Sequence, residues 1–217
     1  MPHVWLIRHG QASFGAANYD VLSELGARQA RLLGEWLAER HLRPARIMVG
    51  TLTRQQETAQ ALAEGLGGKV PEFEVHAGLN ESDADSVLSA WFAAGNERPE
   101  LGDRKAHFKA LTQAVLAWQR GEIDGSESFS EFEARVADAV AQAAEGERPT
   151  FCVSSGGAIG QAVRAALAAP AETQIRLQMQ IKNASFTRLA GRAERLNLLG
   201  FNETPHLEGD ETLTTWS

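Results

Sequence analysis

The chain has 217 residues, 43% hydrophobic and 23% charged, an ordinary globular composition that is too apolar for a disordered segment. Its 28 acidic against 21 basic side chains give a net charge of -7, so the surface as a whole repels a nucleic-acid backbone or an anionic membrane, and any phosphate it binds needs local positive charge. The apolar run inside Met1-Pro2-His3-Val4-Trp5-Leu6-Ile7-Arg8-His9 is too short for a signal peptide or a membrane span, and the single Cys152 cannot form an internal disulfide; a reducing cytoplasm is the expected location.

In chain order, residues 3–7 read as a strand that breaks at Arg8-His9-Gly10 into the small and polar stretch Gln11 to Asp20. From Ser23, an N-cap residue, Leu25, Leu32, Leu33, Trp36 and Leu37 recur at helical spacing until Pro44 forbids continuation. Residues 46–50 form a second strand, and a helix over 53–66 ends at Gly67-Gly68. A short strand at 73–75 leads into the loop Ala77-Gly78-Leu79-Asn80-Glu81. Three helical segments follow, over about 83–95, 104–120 and 128–145, and are expected to cap the sheet. Thr150-Phe151-Cys152-Val153-Ser154 is a buried strand, turned by Ser155-Gly156-Gly157 into a helix over 158–169 that Pro170 stops. Residues 184–190 and 194–201 read as a closing hairpin turning at Ala190-Gly191-Arg192. Strands alternating with helices in this rhythm predict an α/β fold, a three-layer α/β/α sandwich with a mostly parallel central sheet. A single domain over 1–217 is expected, with residues 83–145 as a helical cap insertion.

In an open parallel sheet, ligands bind beyond the carboxyl ends of the strands. The first strand delivers Arg8 and His9 there, the second is followed by Arg54, the third by Glu81, and the fourth by Ser155-Gly156-Gly157. Each suits phosphoryl transfer. Arg8 and Arg54 offer planar forks of donors that match phosphate oxygens. Nearby guanidinium groups depress the pKa of His9 below its reference of about 6.5 and keep it a neutral nucleophile. Glu81 can give a proton to the leaving alkoxide and later take one from water. Gly156 and Gly157 leave backbone N–H groups facing an anion at a helix start. No metal or cofactor is needed. Ser155 as a serine-hydrolase nucleophile is disfavoured because Val153 stands where the strand-to-helix elbow requires glycine. Cys152 reads as core.

Leu6-Ile7-Arg8-His9-Gly10 resembles the signature of the histidine phosphatase superfamily, which includes the cofactor-dependent phosphoglycerate mutases. Leu22 to Ala30, Leu52 to Ala59, Leu79-Asn80-Glu81, Asn183 to Thr187 and Asn202 to Leu207 are similar to further family segments in the same order. The resemblance implies a phosphoglycerate mutase-like fold, His9 as the phosphate acceptor, Arg8 and Arg54 as the phosphate clamp with Ser155 and Gly156 beside them, and Glu81 as acid then base. The family normally carries a second histidine where this chain has Ser155. A neutral hydroxyl replaces a charged donor there, unless His206 or His76 reaches in. The loop Gln11-Ala12-Ser13-Phe14-Gly15 also departs from the mutase pattern, which favours a phosphatase of small phosphate monoesters over a mutase. The alternatives are a phosphotransferase of the mutase type and a phospho-ligand-binding or interaction module weakened at Ser155. The only partner indicated is a small phosphorylated substrate, with neither nucleic acid nor membrane, and a homodimer is left open.

Overall fold

A computed structural model describes residues 3–13, 20–100, 102–146 and 149–216, apart from the Arg104 side chain. Phe14 and Gly15, two of the residues that set the loop apart from mutases, lie outside the described residues. Six strands form one sheet: β1 (His3–Arg8), β2 (Arg46–Val49), β3 (Phe73–Val75), β4 (Thr150–Ser154), β5 (Phe186–Arg192) and β6 (Arg195–Glu203), in the order β3-β2-β4-β1-β5-β6. Strands β1 to β4 run parallel, β5 runs antiparallel to β1, and β6 returns antiparallel to β5.

Alternation along the central strands splits their side chains between two cores, as a pleated sheet buried on both faces requires. Trp5, Ile7, Val49, Phe151 and Val153 point to one face and pack with Leu33 and Leu37 of α1 (Glu24–Glu39) and Leu62 and Leu66 of α2 (Thr53–Leu66). Val4, Leu6, Met48 and Cys152 point to the other. There they meet α3 (Ala84–Ala93), α4 (Arg104–Gln119), α5 (Phe129–Ala143) and α6 (Gly156–Ala166). The centre of that second core is aromatic: Trp118 lies edge-on to Phe129 at 5.0 Å and tilted against Phe132 at 5.4 Å, and its indole N–H donates to the Glu127 carbonyl.

Register decides where the chemistry stands. Ile7 pairs with Val153 and Arg8 with Ser154 across β1 and β4, while Val49 of β2 also pairs with Val153. The residues that follow these three strand ends, His9, Ser155 and Gly50, therefore lie along one rim.

Four expectations about element ends need correction. Helix α1 stops at Glu39, before Pro44, because His41 takes a left-handed conformation (φ 56°) and its N–H and that of Leu42 close back on the Ala38 and Leu37 carbonyls. Helix α6 begins at Gly156, so the two glycines are its first turn; it ends at Ala166, with Ala168 at φ 49° rather than Pro170 breaking the chain. The hairpin turns at Ala193-Glu194, since Gly191 and Arg192 still pair with Leu196 and Arg195. A short helix, α7 (Thr173–Gln178), lies between Pro170 and β5, where the six-residue segment is too short to show a period.

Helices α1 and α2 touch backbone to backbone. A Cβ on Gly34 would overlap the Leu62 carbonyl oxygen and lie 2.7 Å from the Leu66 nitrogen, and one on Gly65 would overlap the Arg31 carbonyl. Gly34→Ala is expected to force the helices apart and lower unfolding free energy by about 1–3 kcal/mol. A urea midpoint that does not move would show that the helices have room to spare.

Candidate active site

The site is built outward from His9, which is 4% exposed although it stands in a loop. Its backbone is held on both sides: the N–H donates to the Ser154 carbonyl at 2.9 Å, and its carbonyl accepts from Ala184 N–H and Asn183 Nδ2, each at 3.2 Å. Ala184 adopts a left-handed conformation (φ 53°) to present that N–H. The following loop is seated on the first turn of α1 and on α2. Gly10 N–H donates to Thr58 Oγ1 at 3.0 Å, Gln11 N–H to Gln29 Oε1 at 2.9 Å, and a Cβ on Gly10 would overlap the Gly26 carbonyl oxygen.

The imidazole tautomer follows from its partners. Nδ1 lies 2.7 Å from the Gly10 carbonyl, which can only accept, so Nδ1 carries the proton. Nε2 is left with its lone pair, and Arg54 Nε donates to it at 3.3 Å. Burial, then the charges of Arg8 and Arg54, push the His9 pKa down from 6.5 to about 3, against a smaller upward pull from the Gly10 bond. Near neutral pH the His9 ring is uncharged, with the Nε2 lone pair turned to Arg54.

Both arginines are pinned from behind. Arg8 donates through Nη1 to the Ile181 carbonyl and through Nη1 and Nη2 to the Trp216 carbonyl, both at 3.1 Å. Arg54 donates through Nη1 to Asp20 Oδ1 at 2.7 Å, while Asp20 Oδ2 accepts from Thr53 N–H at the start of α2. Asp20 was missed from sequence because its loop carries no period; its only signal was a carboxylate between two quoted segments.

Glu81 reaches the rim from the loop after β3. Its Oε2 accepts from Gly157 N–H at 2.9 Å and its Oε1 from Ser82 N–H at 3.0 Å. A Cβ on Gly157 would overlap Glu81 Oε1, so glycine is what lets the carboxylate sit against the first turn of α6. Ser155 is fully buried, and its Oγ accepts from Gln55 Nε2 at 2.9 Å. Gln55, also missed, donates to the Leu79 carbonyl as well, tying α2, the Glu81 loop and Ser155 together.

The structure does not bring either spare histidine to Ser155. His76 Nδ1 accepts from Gly78 N–H, and its Nε2 lies 3.2 Å from Asp138 Oδ2 on α5. His206 sits in a single 3-10 turn, Pro205–Leu207, beside α1, with neither ring nitrogen hydrogen-bonded among the described residues. Burial lowers its pKa to about 3. Cys152 is buried in the core with its thiol pushed up to about 12 by desolvation.

The model of the histidine phosphatase superfamily (branch 1) matches residues 4–204. The chain belongs to this superfamily. Among solved structures, mycobacterial glucosyl-3-phosphoglycerate phosphatase is 26% identical with a TM-score of 0.65, covering 94% of this chain and 100% of that one. Phosphoserine phosphatase from Entamoeba histolytica, solved with 3-phosphoglyceric acid, is 20% identical with a TM-score of 0.67 over 95% and 100% of the two chains, a likeness of fold. A curated relative, the mitochondrial serine/threonine-protein phosphatase Pgam5 of Caenorhabditis briggsae, is 37% identical over 70 residues, which span 32% of this chain and 24% of that protein. Family and neighbours together support a phosphatase. Among the described residues no helix is long and apolar enough to cross a membrane.

Because burial lowers both ring pKa values, the folded protein is expected to lose stability in acid. Between pH 6.5 and about 3 the unfolded chain takes up a proton on each ring that the folded chain refuses, so their contribution is complete above pH 6.5 and lost as pH falls toward 3. Within that window each adds at most one proton to the slope of unfolding free energy against pH. His206→Leu is expected to remove one proton from the slope of unfolding free energy against pH measured between pH 4 and 6.5. An unchanged slope would show that His206 titrates normally when folded.

Proposed function

We propose that this protein is a phosphatase of small phosphate monoesters that works through a phosphohistidine on His9 and needs no metal ion. The observation that carries the proposal is the His9 tautomer: a proton held on Nδ1 by the Gly10 carbonyl and an unprotonated Nε2 that accepts from Arg54, with the charge of Arg8 also acting on the ring. The likeness to a phosphoglycerate-ester phosphatase over nearly the whole chain supports the substrate class.

In the first step Nε2 attacks phosphorus, forming the P–N bond as the bond to the ester oxygen breaks. The ester oxygen takes the proton of the Glu81 carboxyl and leaves as the alcohol. Arg54 turns its Nε donor from His9 to a phosphoryl oxygen, and with Arg8 it balances the charge on the transferring group, the work a metal ion does elsewhere. The phosphoimidazolium keeps its Nδ1–H on the Gly10 carbonyl. In the second step Glu81 takes a proton from water, the water oxygen bonds to phosphorus, the P–N bond breaks, and inorganic phosphate leaves with His9 neutral again. Ser155, capped by Gln55, is a neutral donor at the edge of this site.

Phosphate release should be measured on a panel of phosphate monoesters with wild type, His9→Ala and Ser155→His in parallel, and the reaction quenched in alkali to trap phosphohistidine. Turnover and trapped phosphate in wild type, both lost in His9→Ala, are expected. A silent wild type with activity gained in Ser155→His would instead make phosphate binding the role of the native protein. Gly157→Ala should displace Glu81 and lower kcat by about a hundredfold or more on an alkyl phosphate. The loss should be much smaller on nitrophenyl phosphate, whose leaving group needs little protonation; equal losses on both would remove Glu81 from the acid role.

A further inference from the structure

Helix α7 carries a relay of amides toward the site that the mechanism above does not use. Gln174 is 1% exposed, and its Nε2 donates to the Gly157 carbonyl at 3.2 Å and to Gln178 Oε1 at 3.0 Å. Its Oε1 accepts from Gln119 Nε2 at 2.8 Å. A backbone carbonyl can only accept, so Gly157 dictates which end of the Gln174 amide faces it. That choice propagates: Gln178 must turn Oε1 toward Gln174 and Nε2 away.

Nε2 faces the catalytic rim and donates to no group among the described residues. The place a Cβ on Gly157 would occupy is 3.4 Å from Gln178 Nε2 and is overlapped by Glu81 Oε1. The corresponding place at Gly156 is 3.5 Å from Gln178 Cγ and 3.7 Å from Arg8 Nε. Gln178 thus lies against the first turn of α6 between the phosphate-binding Arg8 and the proton-carrying Glu81. Three residues later the chain supplies the Ile181 carbonyl that holds Arg8. An amide that is oriented from behind and unspent in front is preorganised for an anion, and a neutral donor avoids desolvating a further charge.

We infer that Gln178 is a phosphate-binding residue, its Nε2–H donating to a phosphoryl oxygen on the Ser155 side of the site and supplying part of the hydrogen bonding that the hydroxyl of Ser155 cannot. This rests on the reading of the site as a phosphatase.

The test is Gln178→Met, which keeps the length and packing of the side chain and removes the donor, with Gln174→Leu to leave Gln178 unoriented. Phosphate release, vanadate affinity by calorimetry and the melting temperature are measured for each. Gln178→Met is expected to lower kcat/KM about tenfold to a hundredfold and to weaken vanadate in parallel, with the melting temperature unchanged. Gln174→Leu should lose less, in the same two quantities. Values within twofold of wild type for Gln178→Met, or losses that track a fallen melting temperature with vanadate affinity kept, would overturn the assignment while leaving the phosphatase intact. If wild type releases no phosphate but binds vanadate, and Gln178→Met weakens it, the phosphatase reading fails and the phosphate contact stands. If wild type neither turns over nor binds vanadate, both fall.

Discussion

The hydrogen bond between His9 Nδ1 and the Gly10 carbonyl is the constraint on which the rest of the site depends. It decides the tautomer, and the tautomer decides whether Nε2 is a nucleophile or a donor. That bond holds only because the Arg8-His9-Gly10 backbone is fixed: β1 lies between β4 and β5, its end is anchored to Ser154 and Ser185, and Gly10 and Gly26 touch at backbone distance. Burying the ring then supplies the largest part of its lowered pKa, with the arginines adding to it. The fold therefore keeps the imidazole neutral by burying it beside two positive charges.

This acidic protein gathers two guanidinium groups near His9, each held by acceptors elsewhere in the fold. Carbonyl oxygens of Ile181 and Trp216 orient Arg8 without cancelling its charge, whereas the Asp20 carboxylate partly neutralises Arg54. Apart from the Glu81 carboxylate, the polar side chains beside Ser155 are neutral. Gln55 on Ser155 and the Gln119–Gln174–Gln178 chain are amides, held by hydrogen bonds to one another, to Ser155 or to backbone carbonyls.

Much of the architecture was legible in the chain. Runs such as Val4 to Ile7 and Phe151 to Val153 are apolar on both faces, which only a strand covered on both sides explains, and Ser23 and Gly67 mark their helix ends as read. The errors fell at boundaries set by single left-handed residues, His41 and Ala168, which no residue type announces. They fell too in α7, whose six residues are helical because Gln174 and Ile175 find burial against α6, a tertiary reason. In the site, Arg8, His9, Arg54, Glu81 and the glycine pair were readable because each closes a strand or stands soon after one; Asp20, Gln55 and Gln178 were not, being common polar residues whose significance is their partner.

By itself the sequence determined the layered α/β fold, the rim at the carboxyl ends of its strands and the residue types that gather there, because hydrophobic period and strand-end position are local properties of the chain. Only the tertiary structure decided the tautomer of His9, the company of Ser155, the failure of His76 and His206 to take up the second histidine's place, and the direction of the glutamine relay. Each of these depends on which acceptor or charge stands within about 3 Å across the fold, and hydrogen bonds and desolvation act at that range irrespective of distance along the chain.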